Sequence, residues 1–396
     1  MSKTVLLVYS GGLDTSVCIP MMREDYGFDH VVTVTVDVGL PAGELKQAED
    51  KAAMMKTEHY SIDAREEFVK DYIFPAIKAN GDYQGYPIST SIARPLIAMK
   101  AVEIAKKVNA EAFCHGCTGK GNDQFRFEFV MRAFMPETPI IAPMREHTMT
   151  RTWEIEYAQK KGIPIGQSID KIWSVDENLW GRSIEGGHLE DPNYAPPEEI
   201  FKWTKSWQDA KDTPTDVTIE FENGVPVAID GVRMSPLDLI LKAHEIAGDN
   251  GVGRIDIMED RIMGLKVREN YECPAAKILI PAHQALEALV CTTEERAFKV
   301  FVDQKWGELA YEGLWFDPFK DDLEAFINAI QPRVTGTVNL RLFKGNCQVT
   351  GRASKYALYN EDLASFDSKT FDQSEAVGIV KTHGMQARMY HTVKNS

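Results

Sequence analysis

A chain of 396 residues with 44% hydrophobic and 26% charged positions has enough material for two domains and reads as an ordinary globular protein. Its net charge of −15 argues against a nucleic-acid partner, which normally demands a clustered basic surface, and no apolar run approaches the roughly 20 residues that cross a membrane. The opening MSKTVLLVYSGG carries no signal-peptide pattern and the six cysteines are scattered, so a cytoplasmic location, reduced thiols and small-molecule substrates are expected.

Val5 to Tyr9 is a short apolar run rich in strand formers, the pattern of a parallel strand covered on both faces. Ser10, Gly11 and Gly12 then stop the strand, and Leu13 onward reads as a helix. Two glycines let backbone N–H groups converge on an anion that the positive end of the helix also faces. Thr15 and Ser16 add hydroxyls, and Asp14 offers an oxygen ligand for the magnesium that accompanies polyphosphate. A bare Gly-Gly is usually only a turn. The full string SGGLDTS resembles the pyrophosphate loop of the N-type ATP pyrophosphatases, which split ATP between its α- and β-phosphates. It lacks the lysine of GxxxxGK[ST] and the spacing of GxGxxG, so γ-phosphoryl and hydride transfer both become less favoured.

Val31 to Val38 is a second strand, and Glu44 to Lys56 a helix, which together imply a parallel sheet. A helix is expected over Ser91 to Val108, with Pro95 in its first turn, followed by a strand over Ala110 to Cys114. That strand runs into GCTGKGNDQFRFE, a second glycine-rich loop at the edge where ligands of open α/β sheets gather. A short strand over Pro139 to Pro143, a helix over Thr152 to Lys161 and a strand-like Ile163 to Ile165 come next. Asp176 to Pro197 reads as a disordered linker or a functional loop, its apolar content favouring order. Asn223-Gly224 joins a hairpin, Ser235-Pro236 opens a helix, Thr292 with Glu295 makes a capping box, and strands return at Gly336 to Phe343 and Cys347 to Thr350.

With these segments laid out, the chain resembles the argininosuccinate synthetase family over almost its whole length. The strings that carry the resemblance are YSGGLDTS from Tyr9, TSIARPLIA from Thr90, HGCTGKGNDQFRFE from His115, SVDENLWGRSIEGG from Ser174, GVGRIDIMEDRIMG from Gly251 and YECP from Tyr271. The family implies an α/β, parallel-sheet nucleotide-binding domain of the ATP pyrophosphatase kind over 1–168, an α+β synthetase domain over 169–362, and a C-terminal oligomerisation arm over 363–396. It implies the joining of citrulline and aspartate at the expense of ATP, which gives AMP and pyrophosphate, and it implies a homotetramer.

The resemblance also implies roles. Val8, Tyr9, Ser10, Gly11, Gly12, Leu13, Asp14, Thr15, Ser16, Val36 and Gly116 would meet ATP, with Asp14 on magnesium and Val36 against adenine. Thr118, Asn122 and Asp123 would take aspartate; Tyr86, Ser91, Asn122, Arg126, Ser174, Ser183, Glu259 and Tyr271 would take citrulline. Asp14, Asn122 and Asp123 stand closest to the chemistry. Read without the family, Glu259 is a solvated strand carboxylate, Tyr86 a turn aromatic, Ser174 and Ser183 loop serines, and Arg126 an exposed position. The lone Cys114-x-x-Cys117 pair keeps one alternative open, a tRNA sulfur-transfer enzyme with a related loop; the acidic charge and the lack of a second cysteine or histidine pair count against it.

Overall fold

A computed structural model of the chain describes residues 2–147, 149–164 and 173–396. The expected 168/169 division and Ile165 lie outside those residues. The chain divides into a compact unit Met1–Tyr356 and a smaller unit Ala357–Ser396.

The first strand, Thr4–Val8, shows why the larger unit is layered. Its side chains alternate: Leu6 and Val8 enter one apolar cluster, while Val5, Leu7 and Tyr9 enter a second on the opposite face. With both faces covered, its buried positions Val5 to Val8 are all apolar. Helix Leu13–Glu24 supplies Val17, Cys18 and Met21 to one cluster, and helix Thr90–Lys107 supplies Leu96 and Val102 to the other.

The strand belongs to a parallel five-stranded sheet in the spatial order Glu58–Asp63, His30–Asp37, Thr4–Val8, Ala112–Cys114, Ile140–Ile141. The chain therefore winds outward from the first strand in one direction, then returns to build the other side. The switch point falls between Thr4–Val8 and Ala112–Cys114, the two strands that feed the glycine-rich loops.

Two antiparallel sheets follow. One orders Val232–Arg233, Val225–Ile229, Thr215–Glu222, Gly336–Phe343 and Asn346–Ala353; the other orders Arg254–Asp260, Lys266–Glu272, Gly181–Glu185 and Ser174–Asn178. The hairpin at Asn223-Gly224 forms as expected, with φ of 51° and 75° at its two central residues. The capping box at Thr292 and Glu295 opens helix Thr293–Glu312, and Ser235 caps helix Pro236–Asp249. A single apolar cluster runs from Leu6 and Phe113 through Leu279 and Trp306 to Val338, so this interior is continuous across the larger unit.

Several expectations need correction. Asp176 to Pro197 is not one loop: its first part is the hairpin of Ser174–Asn178 and Gly181–Glu185, turned by Leu179 and Trp180. Those turn residues are buried, and the Leu179 N–H donates to the Val38 carbonyl at 2.8 Å, so the turn is docked onto the end of the second parallel strand. Pro95 lies not in the first turn but inside helix Thr90–Lys107, where burial of Ala93, Leu96 and Ile97 offsets the lost hydrogen bond. Ile163 and Pro164 are not in a strand. Strand Glu58–Asp63, the helical run Arg65 to Lys78 with a π-turn at Val69–Ile73, and helices Pro274–Val290 and Pro318–Ile330 were not anticipated.

The smaller unit holds helices Glu361–Ala364, Ala376–Thr382 and Met385–Lys394. Among its described residues none is a buried hydrophobic, and Phe366 is 97% exposed.

Candidate active site

The turn after the first parallel strand is cross-braced by its own side chains. Ser10 Oγ accepts from the Gly12 N–H at 3.2 Å and lies 3.1 Å from Thr15 Oγ1, while Tyr9 Oη and Ser16 Oγ are 3.0 Å apart. Thr35 donates to the Tyr9 carbonyl at 2.6 Å, which ties the turn to the second strand. Helix Leu13–Glu24 starts at the turn, with its first N–H groups uncapped by any side chain. An anion placed here meets a helix N-terminus and two hydroxyls.

A lysine is present after all, although the motif has none. Lys51, from helix Glu44–Met54, donates to the Gly11 carbonyl at 2.7 Å. Arg151 pairs with Asp14 at 3.1 Å, so the turn carries two cations supplied from distant positions. Neither was legible from the loop string, because each arrives through packing of another helix.

The second glycine-rich loop rests on the first. A Cβ on Gly116 would stand 3.0 Å from Thr15 Cγ2 and 3.3 Å from the Thr15 nitrogen, tighter than ordinary contact. Behind this loop, Glu128 collects His115 Nε2 at 3.2 Å, Arg145 Nη1 at 2.5 Å and Arg132 Nη2 at 2.9 Å. His115 Nδ1 accepts from the Cys117 N–H at 3.2 Å, which puts the ring proton on Nε2 and aims it at Glu128. Burial raises the Glu128 carboxyl, but His115, Arg132 and Arg145 outweigh it and pull it down to about 2.

At the far end of the loop, the amide of Asn122 is held at both ends: Oδ1 accepts from the Ile262 N–H at 3.1 Å and Nδ2 donates to Tyr311 Oη at 2.7 Å. Asp123 is gripped by two guanidinium groups, Arg94 Nε at 2.8 Å and Arg126 Nη1 at 3.1 Å. Burial would raise its carboxyl, yet the two cations hold it below the usual carboxylate range. Arg94 also pairs with Asp176 at 2.8 Å, and Thr90 donates to the same carboxylate at 2.8 Å.

Arg126 is buried, contrary to its isolated reading as an exposed position. Its Nε donates to the Tyr311 carbonyl at 3.0 Å, and Nη2 makes no hydrogen bond among the described residues. Glu259 is likewise only 3% exposed rather than a solvated strand carboxylate. Its two oxygens accept from Tyr271 at 2.7 Å and Tyr311 at 2.5 Å. Tyr86 is no turn aromatic: it is buried and stacks on Tyr271 with ring centroids 4.3 Å apart. Register places Ser183 opposite Tyr271.

The structure thus gathers Tyr86, Asn122, Asp123, Arg126, Ser183, Glu259 and Tyr271 around one centre. Ser91 sits on the same helix as Thr90 and Arg94, its buried hydroxyl without a partner among the described residues, as a group awaiting a ligand or water would be. Thr118 and Ser174 are exposed and make no hydrogen bond into the cluster among the described residues. Val36 points into the apolar core at 4% exposure. Tyr311 and Arg94 belong to the cluster and were not singled out from the sequence.

A parallel sheet of this strand order, with a glycine-rich turn and a helix N-terminus at its switch point, defines a nucleotide-binding α/β protein. The model of an arginosuccinate synthase N-terminal HUP domain matches residues 4–164, and that of an arginosuccinate synthase C-terminal domain matches residues 173–390. The argininosuccinate synthase of Methanosarcina acetivorans is 59% identical over 393 residues, covering 99% of each chain. That of Methanocaldococcus jannaschii is 58% identical over 395 residues, covering 100% of this chain and 99% of its own, and that of Methanopyrus kandleri is 54% identical over 386. The chain belongs to the argininosuccinate synthase family, ATP-dependent ligases of arginine biosynthesis.

Proposed function

We propose that this chain joins citrulline and aspartate into argininosuccinate through a citrulline-adenylate, with release of AMP and pyrophosphate. The observation that carries the reading is the contact of the two glycine-rich loops, Gly116 on Thr15, at the switch point of the parallel sheet. It sets the pyrophosphate turn directly beside the loop that ends in Asn122 and Asp123.

A ureido carbon is a poor electrophile with a poor leaving group, so activation must come first. The ureido oxygen attacks the α-phosphorus and the α–β bond breaks toward pyrophosphate, received by the helix N-terminus and hydroxyls of Ser10 to Ser16. The aspartate amine then attacks the ureido carbon, the carbon–oxygen bond breaks, and the oxygen leaves on AMP. In this reading the free Nη2 of Arg126 takes the citrulline α-carboxylate, and Glu259 takes a cationic or N–H group of citrulline. Asp123 keeps lone pairs beside its two arginines for the aspartate ammonium, and Asn122 serves both amino acids. No side chain acts as a nucleophile; the chemistry rests on positioning and charge stabilisation.

Asp14 and the loop hydroxyls form a hard-oxygen donor set that suits magnesium, which when bound would neutralise pyrophosphate charge. The wider reading keeps the division at 1–168, 169–362 and 363–396, a cytoplasmic location and a homotetramer held by the C-terminal arm. The exposed apolar side chains Phe366, Ile379, Val380 and Val393 support that last point.

Citrulline carrying heavy oxygen in its ureido group tests the mechanism. The label should appear in AMP and not in pyrophosphate; argininosuccinate formed without label in AMP would overturn it.

A further inference from the structure

Helix Thr293–Glu312 ends at Gly313, whose φ of +84° closes the last turn. A Cβ at that glycine would stand 2.7 Å from the Arg126 Cα, so the helix end is set directly on the backbone of the arginine. The Tyr311 carbonyl would otherwise be an orphan of the last turn, and Arg126 satisfies it.

The ring of Tyr311 is held by two neighbours. It stacks on Tyr83 with centroids 3.6 Å apart and planes 9° from parallel, and the Arg126 guanidinium carbon lies 5.0 Å from its centroid. A ring so held can aim its hydroxyl in one direction only. That hydroxyl lies 2.5 Å from Glu259 Oε1, 2.7 Å from Asn122 Nδ2 and 3.1 Å from the Asp260 carbonyl. It has one proton, and the carboxylate attracts it more strongly than the carbonyl does, so Tyr311 donates to Glu259 and accepts from Asn122.

Glu259 makes no ion pair within 4 Å among the described residues. A buried carboxylate is costly unless hydrogen-bonded, and a direct salt bridge would cancel the charge that a ligand needs. Two phenol hydroxyls, from Tyr271 and Tyr311, hold the group without cancelling it. We infer that Tyr311 is a positioning residue: its hydroxyl aims the Glu259 carboxylate and the Asn122 amide at citrulline, while leaving the Glu259 charge free to meet the substrate. The inference rests on the proposed citrulline roles of Glu259 and Asn122.

Tyr311→Phe keeps the ring, its stacking and the Arg126 contact, and removes only the hydroxyl. A lost hydrogen bond to a buried charged group should raise the citrulline KM at least about tenfold. The ATP KM should stay within about twofold, and the thermal midpoint should fall by only a few degrees, because Glu259 keeps Tyr271 and Asn122 keeps Ile262. A citrulline KM within twofold of the parent overturns the inference, as does an equal rise in all three KM values with a large fall in thermal midpoint, which would mark a purely structural role. Glu259→Gln, measured alongside, separates the two layers of argument. If Glu259→Gln raises the citrulline KM and Tyr311→Phe does not, the positioning role alone fails; if Glu259→Gln leaves that KM unchanged, the assignment of Glu259 fails and the inference falls with it.

Discussion

Replacing Glu128 by Gln removes the single negative charge on which His115, Arg132 and Arg145 converge behind the second glycine-rich loop. The carboxyl stands at about 2 against an ordinary 4.5, which at about 1.4 kcal/mol per unit corresponds to roughly 3.5 kcal/mol at full strength. The side chain of Arg132 is 57% exposed, so water screens part of that, and we expect about 1–2 kcal/mol in solution. A carboxylate whose folded value is depressed contributes its full share above the unfolded value and loses it as pH falls toward the folded one. Urea unfolding followed by tryptophan fluorescence between about pH 8 and pH 3 reads this directly. The parent should exceed the variant by a constant margin from pH 8 down to about 5, and the margin should shrink to roughly half by about pH 3. A margin that is absent at pH 7, or flat down to pH 3, would refute the reasoning.

Arg126→Lys should raise the citrulline KM at least about tenfold and leave the ATP KM nearly unchanged, because one ammonium cannot serve the Tyr311 carbonyl, Asp123 and a planar carboxylate together; initial rates at varied citrulline check it, and an unchanged value refutes the assignment. Deleting Thr382 to Ser396 should lower the assembly mass measured by light scattering, and an unaltered mass would remove the arm from any role in assembly.

The backbone of the turn at Ser10 to Ser16 was legible because an apolar strand, two glycines and a helix start stand next to one another in the chain, whereas Thr35, Lys51 and Arg151 reach it only through packing. The Asn223-Gly224 hairpin and the Thr292 capping box were legible for the same reason. The hairpin of Ser174 to Glu185 was hidden because Leu179 and Trp180 turn it, residues that carry no turn chemistry and are held by docking on Val38. Helix Pro274–Val290 was obscured by Pro281 in its interior, a local penalty that burial of Ile278, Leu279 and Leu286 overrides. At the site, family strings pointed to Arg126 and Glu259, but their burial and their common link through Tyr311 depend on residues 50 to 190 positions apart, which no local pattern encodes.

The hydrogen bond from Leu179 to Val38 is made by main-chain atoms alone, so, proline at 179 apart, no exchange of side chains at either position deletes its donor or its acceptor. A change of length breaks it as well. One residue inserted or deleted between Ser174 and Glu185 would shift the turn off the strand end and carry Ser183 away from Tyr271, whereas a substitution there leaves the register in place. The alignment of the two parts is set by a count of residues.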